Sequence, residues 1–170
     1  KSVVKAITPV TTDYEINTVN DGSTDQTFNN IKEEAKKNKR IKIINHSENQ
    51  GLGTSFQKAI ATATKNYITV FPGDNDMSGE SLREVCQRMD AADIIIGYPT
   101  NQHHRPYKRR LLSHSFTILM NVIFHLNLRY YNGPFIHKLA LVKNLNLLSS
   151  GFLIYAELKI KLIRMGCSFI

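Results

Sequence analysis

The sequence predicts an α/β fold: a mixed, mostly parallel sheet flanked by helices, with amphipathic helices in its second half. Three observations lead there. Residues 14–19, 41–45, 67–71 and 93–97 have the length and the alternating or apolar character of strands. Helical stretches separate them, and strands that alternate with helices build βαβ units with both sheet faces covered. The first and third strands each run into an acidic, glycine-containing turn. The 170 residues suit about one domain, and 42% hydrophobic with 21% charged residues allows a packed core. That composition excludes a disordered tail, a collagen-like chain and a coiled coil.

Taken in order, residues 1–9 read as the end of a helix closed by Pro9. Strand 14–19 leads into Asn20-Asp21-Gly22-Ser23-Thr24-Asp25, a turn that supplies a helix N-cap. A polar helix then runs to about Asn38, where a Lys/Arg run suits its C-terminus. After strand 41–45 come the loop Asn49-Gln50-Gly51-Leu52-Gly53 and an Ala-rich helix over 54–65. Strand 67–71 is broken by Pro72-Gly73-Asp74-Asn75-Asp76, and a helix over 80–89 precedes strand 93–97. Residues 99–110 are polar and basic, hold Pro99 and Pro106, and read as a mobile loop. Residues 111–128 are apolar but carry Ser113, His114, Ser115, Thr117, Asn121, His125 and Asn127. That is too polar for a membrane span and fits a helix lying on the protein or at a membrane surface. A turn at 132–134, a helix over 153–164 capped by Gly166, and a strand opening at Ser168 complete the chain. The chain starts at Lys1 with no apolar signal region behind it, and both ends read as trimmed from a longer protein.

The 22 Lys+Arg against 14 Asp+Glu leave a net charge of +8, which favours an anionic partner. Cys86 and Cys167 form no framework and no metal pair, which points to a reducing compartment. Four constellations could carry chemistry. Asn20 and Asp21 sit at the carboxyl end of a strand, where open α/β sheets bind ligands; taken alone, they are better explained as a plain capped turn. Asp74 and Asp76, also at a strand end, could hold a hard divalent cation or form a solvated acidic turn. Gly51 and Gly53 open a helix and would let a phosphate approach the backbone, although neither the P-loop nor the dinucleotide pattern is present. His103, His104, Arg105, Lys108, Arg109 and Arg110 could clamp phosphates or be a solvated charge run.

In this order the motifs resemble those of family 2 glycosyltransferases of the GT-A fold. The run from Tyr14 to Asp25 resembles the family's "EIIVVDDGSTD" segment, and Asn49 to Gly53 with the helix behind it resembles "N.GLG.A". Tyr67 to Asp76 resembles the strand that ends in the DXD-type metal motif. Arg105 to Asn121, with Arg109, Arg110 and Ser113, resembles the "R…S…N" stretch of polyprenyl-phosphate sugar transferases such as those acting on dolichyl phosphate. Tyr131-Asn132-Gly133-Pro134, and Gly151 to Glu157, resemble the later "D…GF…E" region. The chain departs from the family pattern in three places. The first family strand with its "P.YNE" segment has no counterpart, Asn20 replaces an Asp, and Pro72 replaces the first acid of the metal motif.

The resemblance implies one GT-A domain over 1–170, with a nucleotide-sugar half (1–98) and an acceptor half (99–170). It implies an inverting, metal-dependent transferase that moves a sugar from a nucleotide sugar to a polyprenyl phosphate. Asn20, Asp21, Gly51, Gly53, Gly73 and Asp74 would bind the nucleotide sugar. Asp74 and Asp76 would hold Mg²⁺ or Mn²⁺ and would act in catalysis with Arg105 and Arg109. Arg105, Arg109, Arg110 and Ser113 would receive the acceptor phosphate. The protein would sit peripherally on, or be anchored to, the cytoplasmic face of a membrane. Two other readings remain open here. One is a family 2 transferase with a hydroxyl acceptor, for which Glu157 is the one available base in the second half. The other is a non-catalytic basic module for nucleic acid or anionic lipid. The spread of basic residues, without aromatic interleaving, argues against nucleic acid as a partner.

Overall fold

The computed structural model describes residues 2–74, 77–98, 106–131 and 133–170. Its elements in chain order are α1 (Ser2–Ile7), β1 (Ile16–Asp21), α2 (Thr27–Lys37), β2 (Ile41–His46), α3 (Leu52–Thr62), β3 (Tyr67–Thr69), α4 (Gly79–Gln87) and β4 (Ile94–Ile96). Then follow α5 (Tyr107–Phe124), β5 (Phe135–Lys138), α6 (Leu139–Val142) and α7 (Ile154–Arg164). The alternation read from the sequence is therefore present, with boundaries shifted by up to three residues, and by four at each end of the helix expected over 111–128.

The ladders fall into two groups. β1 and β2 pair in parallel, from Ile16 opposite Ile41 to Asp21 opposite His46. β5 lies between β3 and β4 and is antiparallel to both. The sequence reading missed β5, and the reason is physical. Phe-Ile-His-Lys is short and half polar in composition, yet its first three residues are all buried. Ile136 faces a core made with α1 and α4, through Ala6, Leu82 and Val85. Phe135 faces the opposite core, made with Phe56, Ile60, Leu158 and Leu162 from α3 and α7. A strand buried on both faces carries no alternation to read.

Side chains tie the two ladder groups together. The Glu15 carboxylate accepts from Thr64 N and Thr64 Oγ1 just before β3, both at 2.7 Å, and from Lys42 Nζ of β2 at 2.7 Å. Burial opposes its charge, but these donors outweigh it and hold Glu15 at about 2. Asp13 and Lys65 add an ion pair beside it. At the far edge, Ile94 N donates to Ser168 O, and Ile170 N to Ile94 O, so the strand expected at Ser168 docks in parallel on β4.

The second half departs from expectation at one helix start. Residues 107–110 are helical rather than loop, because Pro106, at φ −51°, presets the entry to α5 and Lys108, Arg109 and Arg110 are good helix formers. Residues 99–105 of the expected loop lie outside the described residues, as do Asn75, Asp76 and Asn132. α5 shows the protein a stripe of Ser113, Phe116, Thr117, Met120, Asn121 and Phe124.

α7 buries one full lysine. Lys159 is 0% exposed, and its Nζ donates to Tyr131 O at 2.5 Å and lies 4.4 Å from the Phe135 ring centroid. Burial pulls its amine down to about 7. Because the unfolded chain keeps a proton that the folded chain releases above pH 7, stability must rise with pH in that range. Comparing urea unfolding of the natural chain and Lys159→Met between pH 7 and pH 9, below the range where the buried Cys86 thiol ionises, isolates this group. The natural chain should gain about 2 kcal/mol relative to Lys159→Met over that interval. A pH-independent difference would show that Lys159 is not desolvated.

Candidate active site

The carboxyl ends of β1 and β2 meet at one carboxylate. Asp21 Oδ1 is 2.7 Å from His46 Nδ1 and accepts from Gln50 N at 2.9 Å, and Oδ2 accepts from Gly51 N at 2.9 Å. Burial works against the charge on Asp21, but Gln50, His46 and Gly51 together hold it below the usual carboxylate range. The Asn20 side chain, buried at 4% exposure, donates to Asn45 Oδ1 at 2.8 Å. Asn20 Oδ1, His46 Nε2 and, on α3, Ser55 Oγ are buried without partners. Buried polar groups rarely go unpaired, so these three atoms mark an unusual polar interior beside the Asp21 turn and α3.

The glycines of the next loop serve close approach. Gly22, at φ +71°, sits so near the backbone of Glu48 and Asn49 that a Cβ would lie 2.5 Å from Asn49 N. Gly53 N donates to Ser150 O at 2.7 Å, and a Cβ on Gly53 would meet Ser149 O at 2.2 Å. Gly51 has φ +85°, a conformation that L side chains rarely adopt. Gly51 and Gly53 thus seat the loop on residues 149–150 of the second half, a packing role that sequence reading took for phosphate approach alone.

That contact continues to Glu157. Its carboxylate accepts from Leu148 N at 2.9 Å, Ser149 N at 2.8 Å and Lys161 Nζ at 2.5 Å. Burial opposes ionisation, but Lys161 and the backbone donors prevail and hold Glu157 at about 2. A carboxylate so engaged caps a loop and is a poor proton acceptor at neutral pH.

Asp74 and Gly73 are exposed on the turn after β3. The donor chemistry there is one carboxylate with oxygen ligands, which suits a hard divalent cation shared with substrate phosphates. Among the described residues, no group of three His, Cys, Asp or Glu side chains converges on a metal position. Asp76 and Arg105 lie outside the described residues. Arg109, Arg110 and Ser113 share the first turns of α5, where Arg109 and Ser113 are one helical step of four apart. Both arginines are exposed, and among the described residues neither pairs with a carboxylate. The structure therefore joins Asp21 directly to Gly51, connects Gly53 to the 149–150 loop, and groups Arg109, Arg110 and Ser113 on one helix.

If Asp21 is the knot of the first half, Asp21→Ala should cost about 1–3 kcal/mol in urea unfolding, since it removes the contacts to His46, Gln50 N and Gly51 N, of which Gly51 N keeps Asn49 Oδ1. Gly53→Ala should destabilise by about 1–3 kcal/mol, because the atoms in its way are backbone. Near-zero values for both would dissolve the described linkage between the halves.

Comparison with known proteins agrees with this architecture. The model of the glycosyl transferase family 2 domain matches residues 1–144. "Putative glycosyltransferase EpsH" of Bacillus subtilis (strain 168) is 35% identical over 83 residues, 48% of this chain and 24% of that protein. The crystal structure of glucosyl-3-phosphoglycerate synthase from Mycobacterium tuberculosis in complex with UDP matches at a TM-score of 0.68 and 14% identity. That match covers 96% of this chain and 60% of the synthase chain, and it is a likeness of the GT-A fold. The chain thus spans about a quarter of the Bacillus protein. With most of its length matched and the ordered motifs in place on a GT-A framework, the chain belongs to glycosyl transferase family 2.

Proposed function

We propose that the chain transfers a sugar from a nucleotide sugar to the phosphate of a polyprenyl phosphate, with inversion at the anomeric carbon. The observation that carries this reading is the state of Glu157. A hydroxyl acceptor needs a base to take its proton. From residue 94 to the end of the chain Glu157 is the sole Asp or Glu, and it is bound to two backbone amides and a lysine. A phosphate acceptor needs no such base, because it is already ionised near neutral pH. Its oxygen attacks the anomeric carbon as the bond to the diphosphate breaks, and the nucleoside diphosphate leaves with the electron pair.

In this reading residues 1–98 bind the donor. Asp21 and Asn20 flank the nucleoside, and Gly51, Gly53 and Gly73 admit it to the backbone. Mg²⁺ or Mn²⁺ held by Asp74 and Asp76 would neutralise charge on the leaving diphosphate. Arg105, Arg109, Arg110 and Ser113 receive the acceptor phosphate from residues 99–170.

The outer side of α5 supports a lipid acceptor. Leu111, Leu112, Ile118, Leu119, Val122 and Ile123 are all more than half exposed, behind Lys108, Arg109 and Arg110. An apolar helix face beside cations and without carboxylates fits the boundary of an anionic membrane on its cytoplasmic side. No helix among the described residues is long and apolar enough to cross a membrane.

Radiolabelled nucleotide sugar incubated with the chain and polyprenyl phosphate should yield label that extracts into organic solvent. EDTA should abolish the transfer, and Asp74→Asn should lower kcat by about tenfold or more. Label confined to a water-soluble glycan would overturn the acceptor assignment. Transfer indifferent to EDTA would remove the metal role of Asp74 and Asp76.

A further inference from the structure

A small polar cavity lies between α5 and the segment that follows it. It has a volume of about 40 Å³ and is lined by Ser113, His114, Thr117, Arg129 and Tyr130. One water needs roughly 10–15 Å³ on this measure, so the space admits a group larger than a water. Arg129 was not singled out from the sequence, because a lone arginine ahead of two tyrosines has no signature of its own. The structure places it at the mouth of this cavity.

Arg129 is held in place from several sides. Asn121 grips the preceding residue, donating to Leu128 O at 2.9 Å and accepting from Leu128 N at 3.2 Å. Asn121 Oδ1 also accepts from Tyr131 OH at 2.9 Å, and the buried Lys159 holds Tyr131 O at 2.5 Å. Arg129 is thus flanked by two clamped residues. Its own guanidinium donates to Tyr98 OH at 3.1 Å and stacks 5.1 Å from the Tyr98 ring centroid. One of five N–H groups is used and a planar fork remains for an anion.

None of the residues that line the cavity is acidic. Residues 94–156 contain seven Lys or Arg and no Asp or Glu. Thr117 spends its hydroxyl hydrogen on Ser113 O at 3.0 Å, so Ser113 supplies the hydroxyl donor on the α5 wall of the cavity and Tyr130 lines the other side. His114 stands beside it on α5.

We propose that this cavity is a phosphate-monoester subsite, with Arg129 as its principal cation and His114 and Ser113 as its further donors. Naming the occupant as the acceptor rests on the reaction proposed above; the subsite itself does not. Asn121 and Lys159 are then positioning residues, which act through the segment that carries Arg129. The monoester could come from a prenyl phosphate or from a soluble phosphorylated acceptor.

The test is binding in the absence of any sugar donor, followed by amide chemical shifts and calorimetry. Inorganic phosphate, glycerol 3-phosphate and a short-chain prenyl phosphate are titrated separately, so that lipid and soluble sources are told apart. Arg129→Gln should weaken phosphate about tenfold or more, and Ser113→Ala a few-fold. Binding of UDP should be unchanged by either. Lys159→Met should weaken phosphate without touching it, and Lys159→Arg should restore part of the loss. Lys143→Gln, remote from the cavity, controls for diffuse charge. Wild-type affinity in Arg129→Gln, or an equal loss in Lys143→Gln, would overturn the subsite. Because no turnover is read, a failure of sugar transfer leaves this result standing, and a failure here leaves the transfer assay to be judged separately.

Discussion

The Asp21 carboxylate is the constraint from which the first half of the chain is built. It sits where β1 ends and closes three gaps at once: across the ladder to His46, and down to the amides of Gln50 and Gly51. Without it, the Gln50 amide would lose its acceptor and Gly51 N would keep only Asn49 Oδ1, at 3.0 Å. Because that loop is fixed, Gly53 can meet Ser150, and Ser149 can be held by Glu157. A chain of contacts, charge-assisted at the Asp21 and Glu157 ends and bridged by the neutral Gly53–Ser150 backbone bond, therefore runs from the first strand to the last helix. Charge-assisted bonds are short and directional, so they set geometry as well as stability. The same chain occupies both carboxylates, which decides what is left for chemistry.

α7 plays the corresponding part in the second half. Its Leu158 and Leu162 face the core with β5, while Ala156 and Ile160 face the segment before β5. Lys159 reaches between these layers to a backbone carbonyl and an aromatic face, with the buried His137 on the same side of β5 stacked on Phe135. Desolvation holds His137 down at about 4, so it is neutral beside Lys159 at pH 7. Burial lowers both groups, and the neutral imidazole adds no second charge beside the Lys159 amine.

The parallel β1–β2 unit, α2 to α4 and the helix over 154–164 were legible because period and turn chemistry agree in them. β5 was not, since burial on both faces and a length of four leave no pattern. Nor did the sequence show that α5 is apolar on two sides: a helix with one inward stripe and a broad exposed apolar face has little amphipathic contrast. The candidate site was legible at Asp21, Gly51 and Gly53 as positions but not as roles. Asx-type turns, phosphate loops and loop-to-loop packing draw on the same residues, and only contacts separate them. Arg129 and Lys159 were illegible for the opposite reason, since their environment comes from residues distant in sequence.

The distribution of acids gives the strongest link between fold and chemistry. Of the 14 Asp and Glu, 13 lie at or before residue 93. Asp93 itself is tied to Lys138 and Ser168, which hold it at about 2. Glu157 is tied to a loop. The second half therefore presents cations and apolar surface, with no free carboxylate to accept a proton among the described residues. A cationic surface of this kind can neutralise an acceptor that arrives with its own charge, and it can do little for one that must first be deprotonated. The apolar outer face of α5 adjoins those cations, so charge and hydrophobicity are offered together. A prenyl phosphate has both, an anionic head on an apolar chain, whereas a soluble sugar hydroxyl has neither.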